Sequence, residues 1–337
     1  MKPAYQLRAE ALRILRRLLE AYSPTGSEWN ASKIAADEAY RLGYEDSWVD
    51  DVGSFHAERG QGPKVLLAGH IDTVPGYIEV KEENGFLQGR GAVDAKGPLT
   101  AFMLAGIMVE GCRIRVSGLA AEEGDSRGAR SLISSGEKFD HIVVGEPTGL
   151  AIAIGYRGSN LVSIECKGAG GHSSSPEIGD SALDKLLSIA SSAGELEGVS
   201  AAIVRLEASS PAHNMLPTEA RGLVDFRFMR GYKLTIVPGC RLRALSYTPP
   251  VKVKPQAPVV RSLQRALLER GLKPKLVVKR GTSDMNLLQA ITGSIAAFGP
   301  GDPRLSHTPW ERVSVDEVVK ASMIIASALN MLCRGRL

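Results

Sequence analysis

Val65-Leu66-Leu67-Ala68-Gly69-His70-Ile71-Asp72 is apolar up to a histidine and carries a carboxylate two residues later. A short, unbroken apolar run reads as a buried strand, so His70 and Asp72 fall where the chain leaves the sheet. Two later stretches repeat the arrangement. Arg113 to Ala120 reads as a strand delivering Glu122-Glu123, and His141 to Gly145 as one delivering Glu146. Helical stretches lie between, around Pro98 to Val109 and Gly128 to Ser135. Strands alternating with helices predict an α/β fold: a mostly parallel sheet with helices on both faces. Such sheets keep their site beyond the carboxyl ends of the strands, where these polar residues collect.

Upstream, Leu12, Leu15, Leu19 and Tyr22 make a helical stripe that stops before Ser23-Pro24-Thr25-Gly26, and a second helix runs to Leu42-Gly43. Downstream, alternating segments such as Leu161 to Glu165 and Leu223 to Phe228 flank a helix near Ser181 to Ser192. Residues 156–256 therefore read as an inserted α+β domain, and 1–155 with 257–337 as the catalytic domain.

The polar residues form one constellation. Asp94 lies in Gly89-Arg90-Gly91-Ala92-Val93-Asp94-Ala95-Lys96-Gly97, a loop whose small residues allow close backbone approach to a ligand. His307 stands between Ser306 and Thr308. Two histidines (His70, His307) and three carboxylates (Asp94, Glu123, Glu146) suffice for two divalent-ion sites that share one bridging carboxylate, each with an open position. Glu122 and Glu123 are expected on an extended segment, facing opposite ways. Glu122 would then be the general base. Asp72 is expected to accept the other ring N–H of His70 and fix its tautomer.

Leu67 to Pro75, Gly89-Arg90-Gly91-x-x-Asp94-x-Lys96-Gly97, Ala121-Glu122-Glu123-Gly124 and Gly145-Glu146-Pro147-Thr148 occur in order. Together they resemble the acetylornithine deacetylase, succinyl-diaminopimelate desuccinylase and carboxypeptidase family of co-catalytic zinc hydrolases. The resemblance implies His70, Asp94 and Glu146 on one ion, and Asp94, Glu123 and His307 on the other, with Asp94 bridging. It also implies a non-proline cis peptide after Asp94. The insert is similar to that family's lid, which makes a homodimer contact and carries a histidine, here His172 in Gly171-His172-Ser173-Ser174, that steadies an oxyanion in a neighbouring subunit's site. Asn214, Arg227 and the run Gly281-Thr282-Ser283 match positions that hold a substrate carboxylate. The runs Asp94 to Leu99 and Ser306-His307-Thr308-Pro309-x-Glu311 are similar to the subgroup that releases lysine or ornithine from an acidic amino-group carrier protein, LysW, in lysine and arginine biosynthesis. Zn2+ and Co2+ both suit the ligand set.

Other readings are narrower. His56, His141 and His213 read as structural histidines. Gly89-x-Gly91 lacks the third glycine of a dinucleotide loop, and no Gly-x-Ser-x-Gly elbow occurs. A net charge of +4 without a basic run gives no support for nucleic acid as a partner, while favouring an acidic one. No apolar run is long enough for a membrane span, and the start has no secretory h-region. The four cysteines Cys112, Cys166, Cys240 and Cys333 are scattered, which is read as four buried thiols in a reducing cytoplasm. Two rivals stand beside the carrier hydrolase: a small-substrate deacylase or dipeptidase, and a non-catalytic metal-binding protein of the same fold.

Overall fold

The computed structural model describes residues 4–194 and 196–335. Contacts divide them into two compact units: Tyr156–Lys252 with Lys279–Thr282 in one, and the remainder in the other.

The larger unit is built on a sheet whose centre is the strand Lys64–His70, with Arg113–Leu119 on one side and His141–Val144 on the other, both parallel to it. The register pairs His70 with Leu119 and Ala68 with Val144, so the three strands end nearly level. Ile295–Ala297 extends the parallel part beyond His141–Val144. The outer strands run the other way: Phe55–Arg59 is antiparallel to Arg113–Leu119, and Ile152–Tyr156 to Ile295–Ala297. The sheet is thus parallel where crossover helices join its strands and mixed overall, because nearby segments add its edges.

Val65, Leu66 and Leu67 are fully buried, as a strand covered on both faces requires. The helix Lys96–Gly106 is buried along all eleven residues. It packs against the central strands and also against the helices Ala4–Glu20 and Val315–Cys333. Ala4–Glu20 contributes Leu7, Ala11, Ile14, Leu15 and Leu18 to that core from one stripe. Trp29–Leu42 stops at Gly43, whose φ of 98° is left-handed, and the N–H of Tyr44 returns to the carbonyl of Ala39. A small sheet of Arg312–Ser314, Phe86–Gln88 and Lys81–Glu83 holds the segment after His307 beside the Gly-rich loop.

The smaller unit is a four-stranded antiparallel sheet, in the order Ser200–Ser209, Glu219–Phe228, Gly158–Lys167, Cys240–Thr248. Along Glu219–Phe228 the buried residues alternate, and Val224 and Phe226 join Val162, Ile164, Leu186 and Ile189 in a second core under the helix Ala182–Gly194.

The reading of four free thiols is corrected. Cys112 is bonded to Cys333 and Cys166 to Cys240, leaving no free cysteine among the described residues. Spacing could not show this. Cys166 and Cys240 meet because the antiparallel register sets them directly opposite, and Cys333 ends a helix that returns beside Cys112 across 221 residues. Closing so long a loop restricts the unfolded chain, an effect of about 2–4 kcal/mol for a typical disulfide. Replacing Cys112 and Cys333 by Ser should therefore lower the calorimetric unfolding midpoint by several degrees; equal midpoints for variant and parent would contradict this.

Candidate active site

The level strand ends bring the constellation together. Nε2 of His70 lies 3.0 Å from Oδ1 of Asp94, and Nε2 of His307 lies 3.4 Å from Oδ2 of the same carboxylate. Asp94 thus offers one oxygen to each imidazole. Nε2 of His307 is also 2.7 Å from Oε1 of Glu123. Donor atoms of His70, Asp94 and Glu123 all lie within 4.8 Å of one another. Glu146 is buried and follows the strand His141–Val144 after Gly145, whose N–H bonds to Ala68 O at 2.7 Å. It lies outside the three-residue cluster, and its charge bears on Glu122.

Backbone geometry aims these side chains. The peptide between Asp94 and Ala95 is cis. Gly91 has φ of 89°, and a Cβ there would come within 2.7 Å of Thr73 Cγ2, so only glycine suits the turn before Asp94. Lys96 is buried beneath the loop and donates to the carbonyls of Leu18 and Ala21 at 2.8 and 2.9 Å, its pKa pulled down to about 7 by burial.

Glu122 and Glu123 are not on an extended segment. The strand ends at Leu119, Ala121 takes φ of 60°, and the N–H of Gly124 closes a turn on Ala121 O at 3.1 Å. Asp72 explains the turn. Its fully buried carboxylate accepts the backbone N–H of Glu122 at 3.0 Å, that of Glu123 at 3.2 Å, and the Thr25 hydroxyl at 2.7 Å. The closest acceptor for Nδ1 of His70 is the backbone carbonyl of Asp72, at 2.9 Å, with the carboxylate at 3.4 Å. The main-chain carbonyl and the carboxylate of Asp72 thus both face Nδ1 of His70, and the same carboxylate orients the glutamate pair.

The electrostatics follow from crowding. Burial, together with the charges of Glu146, Asp284 and Glu123, pushes the Glu122 carboxyl well above its usual range, although His70 opposes the shift. Burial also raises Asp284, to about 7. On His70 burial disfavours charge, yet hydrogen bonds to Asp72 and Asp94 outweigh it and hold the ring well above an ordinary histidine. The hydrogen bond to Asp94 lifts His307 to about 9. Asp94 is held far below the usual carboxylate range, because the two imidazoles outweigh its burial. A partly enclosed set of two imidazoles and several carboxylates, with one carboxylate presenting an oxygen to each ring, fits divalent cations of mixed N/O preference.

The remaining candidates are placed less tightly. His172, Asn214, Arg227, Gly281 and Thr282 belong to the smaller unit, and Ser283 to the larger. Nδ1 of His172 is 2.8 Å from Ser174 Oγ, and its Nε2 faces Asn214 Nδ2 at 3.5 Å. Arg227 donates to Asp225 at 2.7 Å. Ser283 is buried, and its hydroxyl accepts the N–H of Met285, the first residue of the short helix Met285–Leu288, at 3.2 Å. His56 is a satisfied core residue, held by Ser117 at 2.8 Å and Asp50 at 3.1 Å.

Glu311 and Arg90 brace the loop that carries Asp94. Oε1 of Glu311 accepts the N–H groups of Val93 and Asp94, both at 3.0 Å, and Oε2 accepts from Arg90 Nη1 at 2.9 Å. The only hints in the sequence were a carboxylate four residues past His307 and an arginine between two glycines.

The model of Peptidase family M20/M25/M40 matches residues 66–331. A protein of Aeropyrum pernix named putative LysW-lysine/LysW-ornithine hydrolase is 44% identical, covering 96% of this chain and 97% of its own. A LysW-lysine/LysW-ornithine hydrolase of Saccharolobus solfataricus is 39% identical with the same coverage. The crystal structure of aminopeptidase PepT from Bacillus cereus superposes with a TM-score of 0.80 at 17% identity, covering 96% of this chain and 98% of that one, which shows the shared fold. With its family model matched from the first catalytic strand into the last helix, this chain belongs to peptidase family M20/M25/M40 and is a hydrolase of that family.

Proposed function

We propose that this protein releases lysine or ornithine from the amino-group carrier protein LysW, by hydrolysing the amide that joins the amino acid to the side-chain carboxyl of the carrier's C-terminal glutamate. The observation that carries this is the 44% and 39% identity, over 96% of the chain, to two proteins bearing that name. The net charge of +4 supports an acidic partner.

His70, Asp94 and Glu146 would hold one divalent cation, and Asp94, Glu123 and His307 a second, Zn2+ and Co2+ being equally suited. Such cations supply Lewis acidity to a carbonyl and to water. Glu122 takes the proton that water gives up as it adds to the amide carbon, and returns it to the nitrogen as the C–N bond breaks. Asp72 keeps the Glu122 backbone in place throughout.

Asn214, Arg227, Gly281, Thr282 and Ser283 are the candidate holders of the substrate carboxylate. His172 of the partner subunit would steady the oxyanion in a homodimer. Support for that dimer comes from the strand Ser200–Ser209, a sheet edge that exposes Ile203, Val204 and Leu206. Among the described residues no helix is long and apolar enough to cross a membrane. A cytoplasmic site of action rests on the biosynthetic substrate, since the paired cysteines remove the argument from free thiols.

Steady-state assays should give a higher kcat/KM for lysine- or ornithine-loaded carrier than for N-acetylornithine; the opposite order contradicts the carrier assignment. Glu122→Ala should keep its metal content by elemental analysis and lose roughly 10²–10⁴-fold in kcat, whereas near-parental turnover removes Glu122 from the mechanism. Val204→Lys combined with Leu206→Lys should give a monomer mass by light scattering; a persisting dimer places the contact elsewhere.

A further inference from the structure

Arg90 and Glu311 form an ion pair whose side chains are only 8% and 1% exposed. Removing both charges from water is costly, and a buried pair seldom returns more stability than apolar packing of the same volume. Its connections point to another use. Arg90 donates from Nε to the carbonyl of Gly76 at 2.8 Å and from Nη1 to that of Thr308 at 3.3 Å. Glu311 accepts the N–H of Asp94 itself and of Val93, and its own carbonyl accepts the N–H of Gly89 at 3.1 Å. One guanidinium and one carboxylate therefore tie together the segment following His70-Ile71-Asp72, the loop carrying Asp94, and the loop carrying His307. Asp94 and His307 are far apart in sequence, and His307 holds a left-handed φ of 64°. A cation site tolerates errors of only about half an ångström in its ligands.

We propose that Arg90 and Glu311 are positioning residues for the cation centre: they fix Asp94 and His307 relative to each other before any cation arrives. The inference rests on the ligand assignment above and deepens it. Loss of the pair weakens cation affinity and leaves the fold intact. The two residues are not equivalent in how they can be replaced. Glu311→Gln keeps an oxygen for the two backbone N–H groups but loses the charge facing Arg90 and the oxygen that accepts from it, turning an NH2 donor toward the guanidinium. Glu311→Ala leaves both N–H groups unpaired. Arg90→Lys cannot serve three acceptors in the fork geometry of a guanidinium.

The test is calorimetric titration of metal-free protein with Zn2+ at a temperature well below unfolding, alongside the metal-free unfolding midpoint. The parent should bind two ions per chain. Affinity should fall by about 10–100-fold in Glu311→Ala and Arg90→Lys, and by less in Glu311→Gln, with folded circular dichroism retained. Variants with lowered midpoints but parental Zn2+ affinity would show a merely structural pair and overturn the proposal. If Glu311→Ala does not fold, Arg90→Lys and Glu311→Gln decide the matter. A parent that binds no Zn2+ would overturn the ligand assignment, and with it this inference.

Discussion

The organising constraint is negative charge gathered in one place. Asp72, Asp94, Glu122, Glu123 and Glu146 all emerge from the strand ends or adjoining loops, and Asp284 adds another buried carboxyl to their field. Like charges at this density oppose ionisation unless cationic partners answer them. Within the chain the answer comes from His70 and His307, each facing one oxygen of Asp94. A pair of divalent cations would meet the same demand more fully, and much of the surrounding structure serves to keep the carboxylates from relaxing apart.

That restraint is distributed by role. Asp72 faces the backbone of the glutamate pair, so its carboxylate fixes the turn from which both Glu122 and Glu123 project. The Gly91 turn and the buried Lys96 shape the loop from the other side. The level ends of three parallel strands supply the rigid base on which these loops meet. Loops positioned by a stiff sheet are a common way to combine reach with precision.

The central strands, and the gathering of His70, Asp94, Glu123 and His307 beyond their ends, were legible because apolar runs and ordered motifs are local signals. What escaped depends on contacts distant in sequence. The turn at Ala121 to Gly124 is imposed by Asp72, some fifty residues away, and could not be read from an apolar strand feeding two glutamates. The Cys166–Cys240 pairing follows from strand register, which no spacing rule encodes. Glu311 was visible as a residue but not as an acceptor for Asp94, because that partnership spans 217 residues. The second unit was legible as alternating strands, yet its return through Lys279–Thr282 was not, since four residues carry no periodicity.

Anomalous diffraction from crystals soaked in Zn2+, recorded at the zinc edge, tests the central claim most directly. Two peaks per chain are expected, one against His70 and Glu146 and one against His307 and Glu123, with Asp94 between them. A single ion bound elsewhere, or these five side chains dispersed around no ion at all, would contradict the account.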